Sequence, residues 1–332
     1  MPADPADTAS AAKRCNLMED ILASLRGRDL PLPHDHIPTC PIAPRELPAG
    51  LRLHGYRLER MLGAGGFGVT YLAQEDGLQR RVVIKEHFPE SICHREAETH
   101  RVVLADEEKR STYIWAREGF LRELRLLSSI SHPNIVRVFT GFDAHDTSYY
   151  VTEYIEGISL GALVQEYAAC GRRFTQAELY GTLVRLLDAL DYLHGEQLLH
   201  RDIKPDNILI NDRGHPVLID FGAAHVRHDD ELVQIVETPG FTPSEQSSGR
   251  GELGAWTDLY ALGATFYYAL TGSMLPSCRQ RELFDPVLPL AQRAELLAHY
   301  HPRLLASIDR AIRPRAAQRY RDAAEWLADL RA

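Results

Sequence analysis

A glycine-rich run at residues 63–69 lies between two segments that both have the composition of β-strands. Its GxGxxG spacing lets a backbone approach phosphate groups closely and point N–H groups at them. A dinucleotide-binding fold requires a helix directly after the last glycine, whereas residues 69–73 read as a strand. We therefore predict a β-hairpin that covers phosphates rather than a strand–turn–helix unit.

The hydrophobic pattern changes about halfway along the 332-residue chain. Runs rich in Val, Ile, Tyr and Thr predict strands from residue 56 onward and at 68–73, 81–84, 135–140 and 149–154. Leucine at helical spacing predicts helices at 176–194, 259–270 and 323–330, and one earlier helix-like segment spans 114–128. We therefore expect an α+β protein with a small β-rich lobe that contains one helix, followed by a larger α-helical lobe.

The charge balance argues against two classes of partner. The net charge is −9, from 46 acidic and 37 basic side chains, which is unfavourable for general binding to nucleic acid or anionic membranes.

The apolar stretch 259–270 is too short to span a bilayer, and the first ten residues lack the features of a signal peptide. Five widely spread cysteines without a CxxC pair indicate free thiols, so we expect a cytoplasmic protein.

The N-terminal residues 1–54 differ in character from the rest and are predicted to form a tail. Several prolines between residues 31 and 48 predict an extended linker. Before it, residues 16–25 place five apolar side chains on one helical face: Leu17, Met18, Ile21, Leu22 and Leu25. This short amphipathic helix is either a frayed tail or a docking or autoinhibitory helix, in which case a regulatory partner would act through residues 1–50.

A lysine near the end of an apolar strand is the next chemical signal. Lys85 follows Val82, Val83 and Ile84. Such a lysine is ordinarily a surface residue, but one buried beside a phosphate-covering loop needs an anionic partner. Glu123, on the helix-like segment, can supply it, so that Lys85 would hold the α- and β-phosphates of a nucleotide.

A polar segment between apolar runs, residues 200–207, carries three groups suited to phosphoryl transfer. Asp202 can accept the proton of an attacking hydroxyl, and Lys204 can neutralise charge on the transferring group. Asn207 offers an amide oxygen suited to Mg²⁺. The alternative is a polar turn between core elements.

A second acidic group follows the strand-like residues 216–218. Asp220 is predicted to supply the main carboxylate for Mg²⁺, and Gly222 permits the sharp turn after Phe221.

These four motifs, in this order, resemble those of a protein kinase. The resemblance covers about residues 55–331 and implies a bilobed kinase domain at 55–332 with ATP bound in its cleft. It divides that domain into an N-lobe at 55–153, a hinge at 153–157 and a C-lobe at 158–332. Thr238 matches the family position that contacts the catalytic loop, and Glu245 lies near the end of an activation segment. Arg319 matches the partner of Glu245, and Asp258 matches the buried anchor of the catalytic loop.

The resemblance also narrows the reaction. Lys204, two residues after Asp202, matches Ser/Thr kinases, and residues 85–89 look like a recurrent strand end of the bacterial ones. The implied activity is transfer of the γ-phosphoryl group of ATP to Ser or Thr of protein substrates, with Mg²⁺ or alternatively Mn²⁺. One alternative is a kinase-like scaffold, which would usually lack Lys85, Asp202 or Asp220. The other is a small-molecule phosphotransferase, which would usually lack Arg201 and the Glu245–Arg319 pair.

The resemblance further implies the nucleotide contacts. Adenine would bind against the Glu153 carbonyl and the Ile155 amide, with Thr152 as gatekeeper and Val83 in place of the usual alanine. The complete implied set is Leu62, Gly63, Ala64, Gly65, Gly66, Phe67, Gly68, Val69, Thr70, Val83, Lys85, Glu123, Thr152, Glu153 and Ile155.

Two features are not explained by the resemblance. The connection between Lys85 and Glu123 contains an insertion at about residues 90–111, in which 101–104 reads as a strand. The segment 223–237 has no hydroxyl side chain but contains Asp229, Asp230 and Glu231. These carboxylates either pair permanently with Arg201 or form a solvated acidic turn.

Overall fold

The computed structural model describes residues 45–66, 68–221, 225–226, 237–247 and 252–332. The predicted tail helix, Phe67, Gly222 and the acidic residues 229–231 lie outside these ranges. The chain divides into two compact units, and the described residues 45–131 form the first together with Val136–Ile155. The second contains His132–Ile135 and Glu156–Ala332.

The first unit is built around one antiparallel sheet. Its elements are β1 (Arg52–Leu53), β2 (Tyr56–Gly65), β3 (Gly68–Glu75), β4 (Arg81–His87), β5 (Cys93–Arg95), β6 (Val102–Leu104), α1 (Arg110–Ser128), β7 (Val138–Ala144) and β8 (Thr147–Glu153). Within the described residues, six strands pair in the order β1-β2-β3-β4-β8-β7. Helix α1 contacts β7 and β8, the strands at one end of this order.

The sheet forms because alternate residues of its strands are apolar and face one core. On β4, Val82 and Ile84 are fully buried, as is Tyr71 on β3. Leu47 and Leu53, which lie in the predicted tail 1–54, are buried in the same core. The β-rich unit therefore extends back at least to residue 45, because these leucines cover apolar surface of the sheet.

Two local predictions need comparison with the structure. The strand expected at 135–140 begins only at Val138, because Ile135 pairs with Leu218 in a separate bridge. The strand expected at 101–104 is confirmed as β6, which forms a hairpin with β5. The insertion is thus a β-hairpin, and its buried residues Cys93 and Val102 join the core of the unit.

The second unit is mainly helical. Its elements are β9 (Gly157–Ser159), α2 (Leu160–Ala169), α3 (Gln176–Gly195), β10 (Leu198–Leu199), β11 (Ile208–Asn211), β12 (Pro216–Leu218), β13 (His225–Val226), α4 (Ser244–Ser247), α5 (Ala255–Thr271), α6 (Cys278–Leu283), α7 (Ala294–Leu297), α8 (Pro302–Ala311) and α9 (Ala323–Arg331). The helices predicted at 176–194, 259–270 and 323–330 are confirmed as α3, α5 and α9.

Local sequence signals explain the ends of two of these helices. Thr175 caps α3, and the Glu178 side chain accepts a hydrogen bond from the Thr175 backbone N–H, which completes a capping box. Helix α5 ends at Gly272 in the left-handed region, with a φ of 69°. Because α5 is apolar nearly all round, it is buried and packs against α3 and α8.

The two units together confirm the predicted α+β class. Of the helices in the described part of the chain, none combines the length and apolar character needed to cross a bilayer.

Candidate active site

The glycine-rich run forms the turn between β2 and β3. Gly65 pairs with Gly68, and Gly63 pairs with Thr70, so the predicted hairpin is confirmed. Gly68 is required by a close approach, because a Cβ atom there would lie 2.4 Å from the Glu86 carbonyl oxygen. Phe67 lies outside the described residues.

Lys85 and Glu123 are brought together as predicted. Lys85 Nζ lies 3.5 Å from Glu123 Oε1, although the two residues come from β4 and α1. The Tyr150 hydroxyl donates to the same oxygen at 2.7 Å. The side chains of Lys85 and Glu123 are only 20% and 6% exposed, so their attraction is weakly screened by water. Tyr150 was not predicted, because nothing in its neighbourhood of the sequence relates it to Glu123.

The predicted adenine contacts lie on adjacent strands. Val83 on β4 pairs directly with Thr152 on β8. Thr152 is 7% exposed, and Glu153 ends β8 beside it. Ile155 follows β8 at the end of the β-rich unit.

The carboxylate of Asp202 is held on both oxygens. The Thr238 hydroxyl donates to Oδ1 at 2.8 Å. Lys204 Nζ and Asn207 Nδ2 donate to Oδ2 at 2.7 and 2.9 Å. The Asp202 side chain is 12% exposed, so these donors fix its orientation while it keeps some access to solvent.

Asp258 of α5 anchors the loop that carries Asp202. This fully buried carboxylate accepts hydrogen bonds from the His200 and Arg201 backbone N–H groups at 2.9 and 2.8 Å. His194 Nε2 lies 2.8 Å from it. Burial alone would raise the pKa of Asp258, but the hydrogen bond from His194 and the neighbouring His200 hold that pKa below its ordinary value. The anchoring role of Asp258 was expected, whereas the contribution of His194 was not.

His200 and Arg201 are both buried in this loop. Arg201 has a φ of 66°, a left-handed conformation that the Asp258 hydrogen bond helps to hold. Burial lowers the pKa of His200, whose ring packs 4.4 Å from that of Phe221. The acidic residues 229–231 lie outside the described residues, so their pairing with Arg201 stays a prediction.

Asn207 and Asp220 offer oxygen donors that fit a magnesium ion. Asn207 Nδ2 donates to the Asp202 carbonyl and carboxylate, so Oδ1 is the atom of this amide that suits a metal ion. The Ile219 N–H donates to the Asn207 carbonyl at 2.9 Å, which sets Asp220 next to this loop. Among the described residues, no three His, Cys, Asp or Glu side chains are grouped to hold a metal. An amide and one carboxylate nevertheless suit Mg²⁺, which takes its remaining ligands from phosphates and water.

Glu245 and Arg319 form the predicted pair. Arg319 Nη1 lies 2.7 Å from Glu245 Oε1, and its side chain is fully buried. The neighbouring Gln246 donates from Nε2 to the Arg201 carbonyl at 2.8 Å, which ties this segment to the loop of Asp202. Gln246 was missed, since a glutamine beside a matched glutamate carries no sequence signal of its own.

Comparisons with known proteins agree with this geometry. The protein kinase domain family matches residues 56–288. Serine/threonine-protein kinase PknA of Nostoc sp. is 32% identical over 290 residues, which cover 82% of this chain and 46% of that kinase. Serine/threonine-protein kinase C of Synechocystis sp. is 34% identical over 279 residues, which cover 77% of this chain and 48% of that one. The chain thus spans about half the length of the curated relatives it matches.

A solved structure supports the same assignment. PpkA-294 in its apo form aligns with a TM-score of 0.76 and 33% sequence identity, covering 86% of this chain and 100% of that chain. The family match at 56–288 spans more than half of the sequence. The hairpin, the Lys85–Glu123 pair and the anchored Asp202 loop lie within the matched region. The chain belongs to the protein kinase domain family.

Proposed function

We propose that this chain is an ATP-dependent serine/threonine protein kinase. The observation that carries the proposal is the Asp202 carboxylate, whose two oxygens accept from Thr238, Lys204 and Asn207. These hydrogen bonds hold the carboxylate in one orientation, so it is preorganised to accept the proton of an acceptor hydroxyl. Relatives named as serine/threonine-protein kinases support the same reaction.

Asp202 orients the acceptor and takes its proton. A Ser or Thr hydroxyl oxygen of the substrate forms a bond to the γ-phosphorus while the bond to the β,γ-bridging oxygen breaks, and ADP leaves with that oxygen. The hydroxyl proton passes to Asp202. Lys204, 2.7 Å from Asp202, supplies positive charge for the oxygens of the transferring group.

The β-rich unit holds the nucleotide. The backbone of the β2–β3 hairpin covers the phosphates, and Lys85 binds the α- and β-phosphates while Glu123 and Tyr150 fix its position. Adenine binds to the Glu153 carbonyl and the Ile155 amide, with Thr152 and Val83 against the ring.

Asn207 and Asp220 would hold magnesium. When bound, the ion neutralises charge on the phosphate oxygens. Asn207 is suited to this because its Nδ2 is engaged with Asp202, which fixes the orientation of the amide. Mn²⁺ has similar ligand preferences and is the alternative ion.

The proposal includes a class of substrate and a location. Lys204 favours Ser and Thr of proteins as acceptors, because a lysine at this position is typical of the Ser/Thr kinases that the sequence resembles. The cysteines of the described part, Cys93, Cys170 and Cys278, are unbridged, which supports a reducing cytoplasm. A regulatory partner acting through residues 1–50 stays a prediction.

An assay with γ-labelled ATP tests the proposal. The purified chain is incubated with Mg²⁺, with and without a generic protein acceptor, and label is followed on protein and on small molecules. Label on Ser or Thr of protein is expected. Nucleotide binding without any transfer would indicate a scaffold, and label only on small molecules would indicate a different phosphotransferase.

A further inference from the structure

The side chain that follows Lys85 is the centre of a buried polar network. Glu86 is fully buried on β4. Its Oε2 accepts from Arg95 Nη2 at 2.7 Å and from the Tyr71 hydroxyl at 2.9 Å. Its Oε1 accepts from the Tyr149 hydroxyl at 2.6 Å. Because Tyr71 and Tyr149 belong to β3 and β8, Glu86 ties its own strand to both of its neighbours in the sheet.

Arg95, from the insertion hairpin, balances this charge and binds the N-terminal segment as well. Its side chain is 1% exposed. Nε and Nη2 both donate to the Arg45 carbonyl at 3.0 Å, and Nη1 donates to the His100 carbonyl at 2.9 Å. A planar guanidinium can make these bonds together, whereas a lysine ammonium offers a single point of charge.

A second bond ties the same N-terminal segment to the network. The Leu47 N–H donates to the Tyr71 hydroxyl at 3.1 Å, while that hydroxyl donates to Glu86. The backbone of residues 45–47 is therefore attached to Glu86 through both Arg95 and Tyr71. Leu47 itself is buried in the core of the unit.

The network lies directly behind the proposed nucleotide site. Neighbouring residues of a strand face opposite sides, so Glu86 points inward and Lys85 points outward. Across the ladder, Glu86 pairs with Tyr149 and Lys85 pairs with Tyr150, the residue that binds Glu123. The two layers therefore come from adjacent pairs of residues on β4 and β8.

We propose that Arg95 is a positioning residue for Lys85 and couples residues 45–47 to nucleotide binding. The proposal rests on the proposed function, since it assumes that Lys85 holds the phosphates. Arg95 fixes Glu86, Glu86 fixes β4 against β3 and β8, and Lys85 is thereby held in reach of Glu123. A change in the conformation of the N-terminal segment would move the Arg45 carbonyl and the Leu47 N–H. It would therefore be transmitted through these contacts to Lys85.

Steady-state kinetics of Arg95→Lys separates positioning from a merely structural role. This variant keeps a positive charge beside Glu86 but cannot bind Glu86, Arg45 and His100 at once. We expect the KM for ATP to rise about tenfold, the equivalent of one lost hydrogen bond to a charged group, with the KM for the protein acceptor unchanged. A purely structural role would lower the concentration of folded enzyme and leave both KM values unchanged, which would overturn the proposal.

Hydrogen exchange of the full chain tests the coupling without any turnover. Coupling is reciprocal, so saturating Mg·ADP should slow amide exchange at Leu47. Tyr71→Phe should abolish this response, because it removes the acceptor of that N–H. Tyr149→Phe is the matched control, since it removes one hydrogen bond to Glu86 but keeps the Leu47 bond, and the response should remain.

The outcomes distinguish this proposal from the proposed function. Nucleotide binding with an unchanged exchange rate at Leu47 would overturn the coupling and leave kinase activity intact. A Leu47 response in a chain that transfers no phosphoryl group would support the coupling and refute the kinase. Failure to bind Mg·ADP at all would contradict both.

Discussion

The Thr238 hydroxyl donates to Asp202 Oδ1 at 2.8 Å, although 36 residues separate the two in the sequence. Lys204 and Asn207 occupy the other oxygen, so a residue from beyond the motif completes the set of donors around Asp202. This contact matches the position that the resemblance assigned to Thr238. A substitution of Thr238 therefore tests directly how much the orientation of Asp202 contributes to the rate of phosphoryl transfer.

Thr238→Val should lower kcat about tenfold and leave the KM for ATP unchanged. Valine keeps the shape of threonine but removes the donor, and a hydrogen bond to a charged group contributes about 1.5–3 kcal/mol. Thr238→Ser retains the hydroxyl and is the matched control. A valine variant that turns over as fast as the serine variant would show that this bond does not orient Asp202.

Lys85→Met should weaken binding of Mg·ATP and reduce the thermal stabilisation that the nucleotide provides. The substitution removes the charge that faces the phosphates and leaves Glu123, only 6% exposed, without this cation. Glu123→Gln keeps the size of the side chain and should have a smaller effect. Calorimetric titration measures both, and an unchanged affinity in Lys85→Met would locate the nucleotide elsewhere.

Asp258→Asn should destabilise the helical unit by about 1–3 kcal/mol. Both carboxylate oxygens accept backbone N–H groups, and an asparagine amide can accept on only one of them. Denaturant unfolding measures the change. Asp188→Asn is the control, because the Asp188 side chain is 70% exposed and its loss should change stability by no more than about 0.5 kcal/mol. Equal stability of the two variants would contradict the anchoring role of Asp258.

The free energy of unfolding should fall as the pH falls from about 6.5 to about 4, with His87 as one cause. His87 is buried against Tyr113 and Phe120, and within the described residues neither of its ring nitrogens has a hydrogen-bond partner. Burial, together with nearby Arg117, lowers its pKa to about 4. Between these pH values the unfolded chain binds a proton that the folded chain does not, so acid favours unfolding, by up to about 3 kcal/mol.

His87→Leu isolates that contribution. The variant removes the titrating group and keeps an apolar side chain, so its stability should change less between about pH 7 and about pH 5 than that of the parent. Buried His200 also has a lowered pKa, but it is present in both proteins and cancels in the comparison. Parallel pH profiles from denaturant unfolding would show that His87 does not titrate as argued.

The sequence predicts the catalytic loop well because its chemistry is local. Asp202, Lys204 and Asn207 lie within six residues, and their mutual contacts follow from that spacing. The Lys85–Glu123 pair spans 38 residues but is still predictable, since a lysine beside a phosphate-covering loop needs an anion.

The hydrogen-bonded network around Glu86, behind Lys85, is harder to predict from the sequence. One signal was available: Val82, Ile84 and Glu86 alternate on β4, so Glu86 falls on the buried face and requires a cation. Its partner, Arg95, lies in an insertion with no counterpart in the resemblance. His194 and Gln246 carry no signal at all, because their contacts with Asp258 and Arg201 depend on tertiary packing between distant segments.

The most direct test of the central claim is phosphoryl transfer by Asp202→Asn. The purified variant and the parent are compared with γ-labelled ATP and a protein acceptor, and Mg·ATP binding is titrated in parallel. Because Asp202 takes the proton of the acceptor and does not hold the nucleotide, the rate should fall by about 10²–10⁴ while the affinity for Mg·ATP stays the same. A variant that retains the parent's rate would contradict the assignment of Asp202 and, with it, the proposed mechanism.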